Sequence, residues 1–293
     1  MKIHSISTTA QARFAALYRI GAPVLVAIAV IWRTLNLFLY YESDIGYYRT
    51  GAVMPTAFRI FLLLGTLFFA VCALTFDKKA APMPQRNGAI AIVSFAVGAC
   101  FAITALLRYC LSATAMSTGT IFAFVTGGLA AVYFILYGCK KLSAVAAVLT
   151  GLGAILWFAS VLSASYLDLT VTMNAPLKLV LHLACLGGMM LILAEMRMIC
   201  QSHKKRLYLF ALATGTLYLC TSAIPTLIAQ LAGILGECEI DYVNFVCLAL
   251  GLFGLIRLLC PFYSESVRVE ETDAERIELP DGQASEGNDE VGA

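Results

Sequence analysis

Charge is what this chain has least of. Asp, Glu, Lys and Arg make up 13% of its 293 residues and hydrophobic residues 60%, against about 25% and 45–50% in soluble domains. Mean hydropathy is +0.85. A soluble fold of this length has no interior large enough for so much apolar surface, whereas a bilayer receives it. Alternating segments of the kind that build a membrane β-barrel are also missing, and the apolar runs are continuous instead.

Catalytic signatures are absent too. The sequence holds no H-E-x-x-H, no G-x-S-x-G and no G-x-x-x-x-G-K-[ST], which removes the common zinc-protease, serine-hydrolase and P-loop readings. No pair of glutamates shares an apolar segment, so the sequence leans away from an enzyme, and no cofactor is implied. Ten cysteines are present but no C-x-x-C, so zinc and thioredoxin-like sites have no framework. Eight of the ten fall in or at the ends of apolar segments and act there as small hydrophobes. Only Cys110 and Cys238 are placed to meet at an aqueous face, and a bridge between them stays open. Basic residues gather at segment ends rather than in one patch, so nucleic acid is not an expected partner.

What is present reads as an all-α polytopic membrane bundle of about eight transmembrane helices. Each span needs roughly 20 apolar residues. Segments of that length fall at about 20–40, 53–76, 88–111, 118–137, 142–166, 176–199, 207–232 and 241–260. The expected organisation is a basic arm at 1–19, a transmembrane domain at 20–263 and an acidic, disordered tail at 264–293. The Ala27-Ile28-Ala29 triplet resembles a signal-cleavage site, but it lies within a run that stays apolar through Tyr40, so the first helix is expected to be retained. Pro23, Pro55 and Pro176 are each expected in a first turn, where a missing N–H costs little. Pro225 lies inside the seventh span, where it should bend the helix and free a carbonyl near Thr221.

Orientation follows from loop charge. With the N-terminus inside, fifteen of the twenty Lys and Arg residues fall on the inner side, while Glu42, Asp44, Asp168, Glu237, Glu239 and Asp241 fall outside. An even span count then places the C-terminus inside as well. The expected location is a cell membrane, with the lipid bilayer as the first partner. From Glu265 onward the chain has ten carboxylates and two arginines. That segment has too little apolar surface to order itself; it could recruit a cytosolic protein.

The candidate site comes from the depth of the polar residues. Arg33 and Asn36 lie on one face of the first span, Arg59 in the second, Arg108 near the end of the third, and Lys178 and His182 in a stripe that opens the sixth. All lie in the outer half, above a mostly apolar inner half. Ionisable groups in a span mark function or a partner. Two readings stand side by side. The cations could hold a small polar or anionic solute, with Arg33 as anchor and Pro225 as a gating bend, in a permease- or carrier-like protein. Alternatively they pair internally, with the nearby carboxylates within reach, and the protein is a non-transporting sensor or scaffold that works through its tail. His182 and Cys185 supply only two metal ligands, so no metal site is expected. Glu195, deep on the inner side, is expected to be neutralised by Arg197 or a loop lysine.

Overall fold

The computed structural model describes residues 2–75, 83–84, 88–111, 118–172, 174–200, 205–235, 242–260 and 262–263. Its helices are α1 (Lys2–Tyr40), α2 (Val53–Thr75), α3 (Gly88–Leu111), α4 (Thr118–Gly138), α5 (Ala144–Leu167), α6 (Pro176–Ile199), α7 (Lys205–Leu231) and α8 (Val243–Leu259). Two short antiparallel pairs accompany them. β1 (Tyr41–Glu42) pairs with β2 (Tyr47–Tyr48), and β3 (Met83–Pro84) with β4 (Phe262–Tyr263). Seven helices are long and apolar enough to cross a membrane. The eighth, α8, has 17 residues and rises about 25 Å at 1.5 Å per residue. The chain is an all-α, multi-pass membrane bundle. Cys238, Glu237, Glu239, Asp241 and the 264–293 tail lie outside the described residues.

Helix limits follow from local chemistry. Pro55 and Pro176 occupy first turns as expected. Ser143 caps α5 by accepting the Ala146 N–H at 3.3 Å, and the preceding tight turn puts Lys140 in the left-handed region at φ 57°. Pro23 is a correction. The helix begins at Lys2, so the proline falls in its interior rather than in a first turn. A helix survives such a position where neighbouring groups satisfy the freed backbone. Nearby, Arg19 reaches across from α1 and its Nε donates to the Leu259 carbonyl at 2.9 Å, a cation on the C-terminal end of α8.

Helices α3 to α8 form a closed ring in chain order, with α8 returning to α3. Outside the ring, α1 lies along α7 and α8, and α2 packs on α1 and α7. Helix α7 is therefore central: 78% of its most apolar stretch is buried, against 28% for α2. Lipid tails are as apolar as leucine, so helices associate in a bilayer where small residues let backbones close up. A methyl group added to Gly215 of α7 would lie 2.7 Å from the Gly187 carbonyl oxygen of α6.

Aromatic rings fill the middle of the closed ring. Phe101 of α3 stacks on Phe134 of α4 with centroids 5.8 Å apart and meets Trp157 of α5 edge-on at 5.0 Å. Phe134 in turn meets Phe253 of α8 at 5.8 Å. The end carrying the α1–α2, α3–α4, α5–α6 and α7–α8 connections is the one the charge bias assigns outside, and "outer" denotes that end throughout.

Candidate functional site

Arg33 sits on the α1 face turned to α7 and is 1% exposed. Its Nη1 donates to the Thr221 carbonyl and, at 2.9 Å, to the Ser222 carbonyl; its Nη2 donates to Thr226 Oγ1 at 3.2 Å. The first of these acceptors is the one Pro225 creates. A proline has no N–H for the carbonyl four residues back, and four back from Pro225 is Thr221. The guanidinium thus fills the gap left in the α7 ladder. Asn36, one turn farther out, is also 1% exposed, and neither its Oδ1 nor its Nδ2 has a hydrogen-bond partner.

Tyr48, in the β1–β2 hairpin, links this region to the next. Burial pushes its phenol above the usual range, and the positive charges of Arg33 and Arg59 pull it back. Arg59 is exposed on α2 and, with Tyr48, lines a groove of about 210 Å³ between α2 and α6. Tyr218 of α7 lines the same groove, and its hydroxyl lies 2.6 Å from that of Thr66 on α2.

The remaining cations lie elsewhere. Lys178 is 6% exposed and donates through Nζ to the Asp168 carbonyl at 2.6 Å and the Val171 carbonyl at 3.0 Å, closing the α5–α6 connection. His182 Nε2 is 3.0 Å from Ser165 Oγ on α5. Arg108 lines a separate outer cavity of about 550 Å³ with Thr118, Thr120 and Ser160. The structure therefore brings Arg33 and Asn36 to one buried interface, sets Arg59 close to it through Tyr48, pairs Lys178 and His182 with α5 and its connection, and leaves Arg108 across the bundle. These six residues do not share one cavity. Where buried cations are satisfied at the outer end, carbonyl oxygens do it rather than carboxylates.

A cluster at the inner end is larger than the sequence suggests. Glu195 of α6 is met by Arg257 of α8, not by Arg197. Arg257 Nε and Nη2 donate to the two carboxylate oxygens at 2.9 and 3.0 Å. Tyr137 of α4 and Tyr208 of α7 add hydroxyl donors at 2.9 and 2.7 Å. Four helices are tied through one buried carboxylate. A hint was available in the sequence, since Arg257, Tyr137 and Tyr208 all stand near inner helix ends. Helix neighbours were not, and they decided in favour of Arg257.

Compared with known proteins, the chain matches no family model, no curated protein and no solved structure.

Proposed function

We propose that this multi-pass membrane protein is carrier-like and binds a small anionic solute in its outer half, at the mouth formed by α3, α4 and α5. The observation behind this reading is the cavity of about 550 Å³ at Arg108. Its guanidinium makes no hydrogen bond or ion pair among the described residues, and its planar fork suits a carboxylate or phosphate. Thr118, Thr120 and Ser160 line the same cavity and bring hydroxyl groups to its wall.

One turn below, the path narrows. A methyl group on Gly127 would lie 3.0 Å from Ala105 Cβ and 3.2 Å from the Trp157 ring, and the Phe101–Trp157–Phe134 layer follows. An open outer cavity above an aromatic layer, with the buried Glu195–Arg257 cluster toward the inner end, supports the carrier reading. The test is thermal unfolding of the detergent-purified protein with a panel of small carboxylates and phosphates. A ligand at 100 times its dissociation constant adds about 2.7 kcal/mol. Stabilisation by one anion class, lost in Arg108→Gln, supports the site, and flux of that anion in proteoliposomes then tests transport. If no anion stabilises the wild type, the reading fails.

A scaffold reading keeps one supporting observation. The β4 strand, which immediately precedes the acidic segment in the chain, pairs with β3 in the α2–α3 connection. Deleting residues 264–293 separates the two readings: a carrier keeps its flux, while a scaffold loses its cytosolic partner.

A further inference from the structure

We infer that the α2–α6 groove is a binding site for one anionic phospholipid, with its phosphate on Arg59 and the upper part of one acyl chain in the groove. This site lies apart from the Arg108 cavity and does not depend on the solute reading.

The groove has a structural origin. Helices α2 and α6 both pack on α7 but not extensively on each other, so a slot open to the bilayer remains between them with α7 as its floor. Its chemistry changes along its length. Arg59 and Tyr48 stand at the outer rim, while Leu62, Leu63, Leu179 and Leu183 line the depth. From Arg59 to Leu63, the innermost lining residue of α2, is four residues, or about 6 Å along the axis at 1.5 Å per residue. A cation over a narrow apolar slot matches a phosphate ester joined to a hydrocarbon chain. Small hydrophilic anions would leave the slot empty, and a zwitterionic headgroup would bring a cation of its own beside Arg59, so a headgroup with net negative charge is favoured.

Arg59 is available for this role. Unlike Arg33 and Lys178, it makes no hydrogen bond or ion pair among the described residues. An arginine near the surface can snorkel to any headgroup, so specificity is what the experiment must show. The groove has a volume of about 210 Å³ and is open on its lipid side. In the proposed pose part of one chain enters it and the second chain stays in the bilayer.

The test uses the full chain in nanodiscs and in detergent. Thermal unfolding is compared in phosphatidylcholine discs with and without phosphatidylglycerol, and lipid retention is read by native mass spectrometry. One phosphatidylglycerol retained per chain, together with a higher Tm in the doped discs, is the expected result. Arg59→Gln should lower retention at least tenfold. Leu63→Trp should do the same by filling the slot from the lipid side; Leu63 is 70% exposed, so the bulk does not enter the core. Arg108→Gln should retain lipid as wild type does, which keeps this site separate from the solute site. Equal retention of phosphatidylcholine, or undiminished phosphatidylglycerol retention in Arg59→Gln, would overturn the inference. An equal Tm rise with glycerol phosphate alone would also overturn it, because the acyl chain would then contribute nothing.

Discussion

Arg33 on α1 donates to the carbonyl of Thr221 on α7, the carbonyl that Pro225 deprives of its helical partner. A buried arginine and a proline inside a helix, each costly alone, therefore offset each other. This relation changes what a substitution at Arg33 reports, because a loss of stability there does not by itself indicate a lost ligand.

Arg33→Ala should destabilise the protein by about 3 kcal/mol, since it removes charged hydrogen bonds and strands a buried carbonyl. Pro225→Ala restores an N–H for Thr221. In that background Arg33→Ala should cost less by at least about 1 kcal/mol, the coupling expected of residues that share one acceptor. Unfolding of the four proteins in a double-mutant cycle measures it. Additive effects would mean that the two residues act independently.

Glu195→Ala should cost about 3–5 kcal/mol, because it leaves the Arg257 guanidinium buried without its carboxylate. The double variant Glu195→Met with Arg257→Met should be less damaging than Glu195→Ala alone. Denaturation in mixed micelles, read by circular dichroism, gives the comparison. A double variant worse than the single would point to a role for the charges beyond packing.

Gly215→Ala should destabilise by about 1–3 kcal/mol through overpacking, since its methyl group would press on the Gly187 carbonyl of α6. Gly128→Ala is the control: nothing lies within 4 Å of an added Cβ there. It should change stability by less than about 0.5 kcal/mol. Melting curves of both variants against wild type decide the point.

Asp168 carries a pH dependence of known sign. The Thr170 hydroxyl and amide donate to its Oδ1 at 2.6 and 2.9 Å; these bonds hold the carboxyl below its usual range, Lys178 adding to them. A depressed pKa means stability that is present above the unfolded carboxylate pKa and lost as pH falls through the folded value. Wild type should therefore melt above Asp168→Asn at neutral pH, and the two curves should converge in acid. Parallel curves at every pH would sink this account.

Much of the fold was legible because its signals are local. Each apolar run is long enough to span, and Pro55 and Pro176 mark their own boundaries. Pro23 misled for a related reason: it starts the apolar run but not the helix, since helicity does not require apolarity. The site was legible in part. Depth and spacing picked out Arg33, Asn36 and Pro225, and even the freed carbonyl at Thr221. Nothing local indicated that α1 and α7 meet, because five other helices separate them in the chain.

The sequence by itself determined that this chain is a membrane bundle, where its helices run and which residues carry polar groups into the apolar layer. Length and composition of a run suffice for that, since each segment meets lipid on its own account. Only the tertiary structure decided the partners: Thr221 for Arg33, Arg257 for Glu195, and carbonyls rather than carboxylates for Lys178. Every residue offers a carbonyl and several arginines were in reach by depth, so the choice depended on which helices lie side by side. In a bilayer, close backbone approach at residues such as Gly187 and Gly215 sets that arrangement, and a list of apolar spans does not contain it.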